Sequence, residues 1–198
     1  MEPLRLDAGN YSGTYKLIGG RLALDFLNTV SWPGHERCHD WFESSKNVTA
    51  WLAAVGLPSG PVSEAQRKHA VQIRTMLDLA IRPLAIGAFP PRTAVAALSE
   101  LARGAFARRE IDPVTLRWVP DRSPVAEQRF DPVVIDAAVL VVASPGERLR
   151  YCPSCDWLFE DHSRNAQRRW CDMADCGARH KARTYYHRSK PDPEITQE

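Results

Sequence analysis

The first apolar residues of the chain recur at short intervals that predict strands. Residues 14–18 form a short segment with apolar positions that ends at two consecutive glycines. Within 21–30, every second position from Leu22 to Phe26 is apolar. A period of two is typical of a half-buried strand. We therefore predict strands over 14–18 and 21–30, joined as a hairpin through the glycines between them.

Wider apolar spacing farther along the chain predicts helices. Ser63 and Gln66 have the spacing of a capping box, which marks the start of a helix. From Ile73 onward, apolar residues follow at intervals of four, three and four, which places them on one helical face. A second such stripe follows Pro91, and a shorter helix is expected over 47–55.

The last part of this region predicts a buried helix. Residues 133–142 are apolar on nearly every side, which is typical of a helix inside a core. The Asp-Pro pair at 131–132 supplies a helix cap and a first-turn proline. Two short strands are predicted before it, over 116–119 and 127–130. The chain thus divides into an N-terminal domain over 1–147, a small module over 148–190 and a flexible acidic tail over 191–198.

Composition restricts the class of protein. Hydrophobic residues make up 44% and charged residues 25% of the chain, which is ordinary for a soluble globular protein. No apolar run approaches the roughly 20 residues that span a bilayer. The first residues lack the basic start and apolar centre of a signal peptide. We therefore expect a cytoplasmic protein with no membrane partner.

Four of the five cysteines lie in the small module. Cys152 and Cys155 form a C-x2-C pair, and Cys171 and Cys176 follow with four residues between them. Two close pairs of this kind supply the four tetrahedral ligands of a structural zinc site. Two disulfides or four free thiols are the alternatives, and disulfides would require an oxidising compartment. We predict one zinc ion on these cysteines and a free thiol at Cys38.

The small module also carries the positive charge. Acidic and basic residues balance over 1–147, whereas 148–190 hold 10 Lys and Arg against 5 Asp and Glu. Such a module is expected to meet a polyanion, and a solvated basic face is the alternative. We expect DNA contacts, mainly to phosphates. The residues predicted to make them are Arg164, Arg168, Lys181, Arg183 and Arg188.

The order of elements in the module predicts a knuckle, a hairpin and a helix. Asp175 is expected to cap a helix that begins at Cys176 and runs to about residue 188. Its Ala178, Ala182 and Tyr185 face is expected to pack on the hairpin. Arg169 and Arg179 lie near the cysteines and are the cations most expected to form internal pairs.

The residues around the cysteines resemble the CGNR-type zinc finger. The resemblance rests on Cys152-x2-Cys155, Leu158-Phe159, Asp161-x-Ser163-x-Asn165, Arg168-Arg169-Trp170-Cys171-Asp172-Met173, Cys176-Gly177-Ala178-Arg179 and Lys181-Ala182-Arg183. The chain has Ala178 where the family's Cys-Gly-Asn-Arg tetrapeptide has Asn. The segment 19–29 resembles the start of the ABATE domain, which precedes this finger in the family. The resemblance implies a bacterial stress-induced transcription regulator.

These observations together predict a fold and a function. The fold is α+β, with a mostly helical N-terminal domain carrying short β-hairpins, followed by a small treble-clef-like zinc finger. The function is zinc-dependent DNA binding, with the N-terminal domain as a sensor or as the unit that forms a homodimer. Because residues 1–147 have apolar stripes of their own, we expect that domain to stay folded when the metal is removed.

The predicted sensor role, and the alternatives to DNA binding, depend on few residues. Asp25, Asn28 and Thr29 interrupt an apolar stretch, where polar residues either satisfy nearby backbone or line a pocket for a small-molecule effector. A protein–protein adaptor is the alternative to DNA binding. An enzyme is a further alternative, but no nucleophile–base pair, phosphate loop or carboxylate cluster stands out in 1–147. We therefore predict that the protein is not an enzyme.

Overall fold

The computed structural model describes residues 2–11, 13–31, 39–121, 128–143 and 147–189. The α-helices in these ranges are α1 (Leu22–Leu27), α2 (Ser45–Ala54), α3 (Glu64–Ile81), α4 (Arg92–Ala107), α5 (Asp131–Ala143) and α6 (Ala178–Ser189). Antiparallel pairs join β1 (Val30–Ser31) to β2 (His39–Asp40), β3 (Arg109–Ile111) to β4 (Trp118–Pro120), and β5 (Leu149–Tyr151) to β6 (Leu158–Glu160). The predicted α+β class is confirmed. None of the described helices is long and apolar enough to cross a membrane.

Helix α3 forms where its sequence signals predicted. The Ser63 hydroxyl accepts the Gln66 N–H at 3.2 Å, and the Gln66 side-chain oxygen accepts the Ser63 N–H at 2.8 Å. The apolar stripe from Ile73 through Leu77 to Ala80 is buried. Helix α4 follows the proline pair as predicted and packs against both α3 and α5.

Helix α5 lies in the N-terminal core. Val133 and Ala137 are fully buried. At its start, Asp131 forms two hydrogen bonds with Arg108, which follows the last residue of α4, at 2.7 and 3.0 Å. Val139 and Val142, near the other end, are exposed. The helix is therefore less completely buried than its apolar sequence predicted.

The predicted strand over 21–30 is wrong, because most of this segment forms α1. Residues 23–27 are all buried. In a helix that is surrounded by protein, an apolar residue at every second position also fits, so the pattern did not distinguish a strand from a helix. Gly19 approaches α1 so closely that a Cβ there would lie 2.7 Å from the Leu24 Cβ. In the predicted strand over 14–18, Tyr15 makes an isolated bridge to Leu4.

The predicted strand over 116–119 is present as β4 with a small shift, but it pairs with β3. An Asp112 carboxylate oxygen accepts the N–H groups of Val114 and Thr115, at 3.0 and 2.6 Å, and so closes the turn between these strands. Residues 128–130 lie in the turn that enters α5, and 127 lies outside the described residues.

The β5–β6 hairpin packs against the N-terminal domain. Leu149, Leu158 and Phe159 are buried in one continuous apolar cluster with the helices. The Trp157 ring meets the Tyr15 ring edge-on, with 5.6 Å between centroids. The hairpin that leads into the cysteine motif is therefore held by the same core as α1 to α5.

Candidate metal centre and nucleic-acid interface

The turn between β5 and β6 forms the knuckle that carries the first cysteine pair. The Cys152 N–H donates to the Trp157 carbonyl, and the Asp156 N–H donates to the Cys152 carbonyl, both at 2.8 Å. Asp156 has a left-handed backbone, with φ of 57°. The tight turn lets Cys155 fold back towards Cys152, as the C-x2-C spacing predicted.

The second pair is brought together by one wide helical turn, Met173–Gly177, just before α6. Asp172 caps this turn: its side chain accepts the Ala174 N–H at 2.9 Å. The prediction that Asp175 caps the helix after the cysteines is wrong. The wide turn begins at Met173, between Cys171 and Cys176, so its cap lies three residues earlier than predicted.

The four sulfur atoms converge on one point. All lie within 4.8 Å of one another, and the Cys155–Cys171, Cys171–Cys176 and Cys155–Cys176 distances are 3.5, 3.6 and 3.6 Å. Tetrahedral ligands on zinc at about 2.3 Å would be about 3.8 Å apart, whereas bonded sulfurs are about 2.05 Å apart. The four are free cysteines, positioned to hold one metal ion. Cys38 lies outside the described residues.

Arg179 and Lys16 lie near these ligands. Zn²⁺ with four thiolates carries a net charge of −2, which favours nearby donors. The Arg179 guanidinium donates to the Cys176 sulfur at 3.1 Å and pairs with Asp175 at 3.1 Å. The Lys16 ammonium contacts Asp172 at 2.7 Å. That hydrogen bond raises the pKa of Lys16 and lowers the pKa of Asp172.

The role of Lys16 could not be found from the sequence. It lies 156 positions from Asp172, and no local pattern links the two. The internal pairing expected for Arg179 agrees with the geometry, because its position three residues after Cys176 is one helical turn from the ligand.

Asn28 attaches the finger to the N-terminal domain. Its amide nitrogen donates to the Leu158 carbonyl and its amide oxygen accepts the Leu158 N–H, both at 2.8 Å. The Trp157 indole donates to the Val30 carbonyl at 2.8 Å. The Glu160 N–H donates to the Gly19 carbonyl at 2.8 Å. Strand β6 is thereby tied along its length to the residues around α1.

The three polar residues predicted to line an effector pocket have internal hydrogen bonds. Asn28 is used as described, and the Thr29 hydroxyl donates to the Phe26 carbonyl at 2.7 Å. Asp25 accepts the Gly19 N–H at 2.8 Å, and burial raises its pKa to about 6. Asp25 also borders a cavity of about 370 Å³. These residues were predicted either to hydrogen-bond nearby backbone groups or to line an effector pocket, and the geometry favours the first role.

The residues predicted to contact DNA fall into two groups. Most of them are exposed, namely Arg164, Lys181, Arg183 and Arg188. Arg168 is the exception, and its predicted place on an exposed face is corrected. Its guanidinium donates to the carbonyls of Trp170 and Cys171 and lies 4.9 Å from the centre of the Phe159 ring. The backbone beside a ligand needs donors, and Arg168 supplies them.

Helix α6 extends from the wide turn with little packing. Ala178, Ala182 and Tyr185, predicted to lie on the hairpin, are exposed. At its first turn, the His180 ring lies beside the Trp170 ring, with 4.7 Å between centroids. The predicted packing of this face on the hairpin is therefore wrong, because the three side chains are exposed to solvent.

Two family models match the chain. A model named ABATE, described as "Putative stress-induced transcription regulator", matches residues 20–145. A CGNR zinc finger model matches residues 148–189. No curated protein matches the chain. The resemblance drawn from the sequence is therefore confirmed, and zinc is the metal that the four cysteines are arranged to bind. Neither model describes an enzyme family.

Proposed function

Since the chain belongs to the ABATE family and ends in a CGNR zinc finger, we propose that it regulates transcription by binding DNA through the finger. The observation that carries this proposal is the exposed, basic helix α6. It projects from the wide turn and has cations along its length, at Lys181, Arg183 and Arg188.

The physical state of α6 favours a polyanionic partner. A helix of 12 residues is marginal in water by itself, and helices in proteins usually gain stability by burying an apolar face. The exposed residues of α6 include several cations that repel one another. Phosphate groups would relieve this repulsion and release counterions, which is the main source of non-specific DNA affinity.

The dimensions of the finger also agree with DNA. A single α-helix fits the major groove, which is about 12 Å wide. Arg164 and Arg169 are exposed in the loop before the wide turn, and the Arg169 guanidinium lies 5.0 Å from the centre of the Trp170 ring. In this arrangement α6 enters the groove while the loop arginines contact the backbone of one strand.

We assign dimerisation to the N-terminal domain, because one small finger makes few contacts and two linked fingers bind far more tightly. The outer side of the β3–β4 hairpin and the end of α4 expose a group of large apolar side chains. Phe106 and Trp118 pair there with 6.2 Å between ring centroids, and Ile111 is exposed. Exposed apolar patches of this kind often mark association surfaces. We further propose that the N-terminal domain responds to a small-molecule effector and that the protein acts in the cytoplasm.

The test is a titration of short duplexes with the intact, zinc-loaded protein at two salt concentrations, followed by fluorescence anisotropy. We expect affinity to fall as salt rises. Arg183→Ala should lower the logarithmic salt slope by about one unit on any duplex sequence. Arg92→Ala removes the same charge from an exposed position at the start of α4 and is the matched control.

A protein partner is the second candidate. Tyr185 and Tyr186 are 76% and 57% exposed on α6, and tyrosine is enriched at protein interfaces. If the zinc-loaded protein has no affinity for duplexes at low salt, or an affinity that salt does not change, DNA binding is refuted. The adaptor function would then explain the exposed helix.

A further inference from the structure

A cleft of about 360 Å³ lies between the N-terminal segment and the wide turn of the finger. The two modules both contribute to it. The residues that line it include Tyr11, Lys16, Ile18, Trp157, Asp172 and Asp175. Three of the four cysteines and Arg179 also border it. A volume of this size is within the range that holds small molecules.

The charges around the cleft do not balance when the metal is bound. The zinc centre with its four thiolates carries −2, and Lys16 and Arg179 together offset this charge. Asp172 and Asp175 then add two negative charges without further cations among the residues that line the cleft. An anionic ligand would therefore be repelled, and a cationic ligand would be attracted.

One of the two carboxylates retains capacity to bind a ligand. The Asp172 oxygens are engaged by the Lys16 ammonium at 2.7 Å and the Ala174 N–H at 2.9 Å. Asp175 has one oxygen 3.1 Å from the Arg179 guanidinium, while its other oxygen is 3.9 Å from the Lys16 ammonium. The latter distance exceeds that of a hydrogen bond. Asp175 is also 40% exposed, so a donor from outside can reach it.

The aromatic walls select the body of the ligand. Tyr11 and Trp157 line the cleft on the side of the N-terminal domain and the hairpin. Aromatic rings attract organic cations as well as apolar groups. We propose that this cleft binds a small organic cation, whose charged nitrogen pairs with Asp175 and whose flat apolar body contacts Tyr11 and the exposed edge of Trp157. This inference does not depend on DNA binding.

Benzamidine and benzoate test the proposal, because they share a ring and differ in the sign of their charge. We would titrate each into the full-length, zinc-loaded protein and follow backbone and indole resonances by NMR. We expect saturable binding of benzamidine, with shifts at Tyr11 and Trp157, and at least about tenfold weaker binding of benzoate. A tenfold difference corresponds to about 1.4 kcal/mol.

Variants locate the binding group. Asp175→Asn should weaken benzamidine binding about tenfold with one zinc retained per chain. Glu110→Gln removes a negative charge from an exposed position on β3 and should have no effect. If Asp175→Asn loses zinc, Tyr11→Leu replaces it as the test, because Tyr11 lies outside the zinc turn. Tyr11→Leu should also weaken binding about tenfold.

Three results would overturn the proposal. The first is an absence of saturable benzamidine binding up to about 10 mM, a concentration that would detect even a weak fragment. The second is benzoate binding at least as tightly as benzamidine, since the charge argument would then have the wrong sign. The third is benzamidine binding that both Asp175→Asn and Tyr11→Leu leave unchanged, because the site would lie elsewhere.

Discussion

Replacing Asn28 by Ala should weaken zinc binding, although Asn28 touches no ligand. Its amide exchanges two hydrogen bonds of 2.8 Å with the backbone of Leu158, and the side chain is buried. These bonds exist when β6 is docked on the N-terminal domain. They therefore stabilise the folded, metal-binding form of the finger.

The magnitude follows from the two bonds. A net contribution of about 1 kcal/mol per bond is typical, and a buried N–H or C=O left without a partner costs about 1–3 kcal/mol. Both Leu158 groups lose their partner in Asn28→Ala, so we expect a loss of about 3 kcal/mol. If the bonds form only with the folded finger, this loss appears in the apparent zinc affinity as a factor of about 100.

Asn47→Ala is the matched control. Asn47 is also buried, and its amide forms bonds of 2.8–2.9 Å with backbone groups of Asp7 and Trp41. All of these partners belong to the N-terminal domain. This variant should lose a similar free energy of unfolding while its zinc affinity stays nearly unchanged.

A competition titration against a chromophoric zinc chelator measures the affinity, and urea unfolding measures the stability. The reasoning is refuted if the two variants change zinc affinity equally. It is also refuted if Asn28→Ala loses stability in urea without losing zinc affinity.

Three further predictions concern single side chains. Burial raises the Asp25 pKa to about 6 from a value of 3.8. The protonated Asp25 carboxyl group therefore contributes fully to the free energy of unfolding below about pH 4, and this contribution is lost as pH rises through 6. Urea unfolding from pH 4 to pH 7 should therefore show the parent protein losing about 3 kcal/mol relative to Asp25→Asn, and parallel pH profiles would contradict this. Arg179→Met removes the donor to the Cys176 sulfur and should weaken zinc binding about tenfold in the chelator assay, whereas Arg183→Met on the exposed part of α6 should not. Leu77→Ala should lower the free energy of unfolding in urea by about 2–5 kcal/mol, because Leu77 is fully buried in α3; a loss below about 1 kcal/mol would argue against this packing.

Signals that lie within a few residues were readable from the sequence. The Ser63 and Gln66 capping box fixed the start of α3, because both hydrogen bonds form inside one turn. The knuckle was readable for the same reason, since Cys152 and Cys155 approach through a turn closed by their own backbone. In each case the chemistry needs only neighbours along the chain.

Elements surrounded by protein gave an ambiguous pattern. Helix α1 is buried on all sides, so its apolar residues had no polar face from which a period of 3.6 could be recognised. The pairing of β3 with β4 depends on the Asp112 side chain closing the turn. Several other residues in the sequence also favour turns, so this role of Asp112 could not be singled out.

Contacts between distant residues could not be predicted. Asn28 and Leu158 are 130 positions apart, and Lys16 and Asp172 are 156 positions apart. Neither pair has a local spacing that marks it. The arginine roles were difficult for a related reason. Arg168 and Arg169 are adjacent, yet the Arg168 guanidinium is bonded inside the finger while Arg169 is exposed.

These distant contacts change the expected relation between the two modules. A finger joined by a linker would use the zinc binding free energy, about 10 kcal/mol or more, only for its own folding. Here Leu158 and Phe159 are buried in the cluster that includes the N-terminal helices, and Lys16 contacts the cap of the turn before α6. We therefore expect part of the zinc free energy to stabilise the N-terminal domain, because the domain would lose apolar contacts if β6 undocked. By the same linkage, a ligand or a dimer contact that holds β6 docked on the N-terminal domain would also favour the metal-bound finger. We therefore expect the position of α6 to respond to events that move β6, as the proposed regulatory function requires.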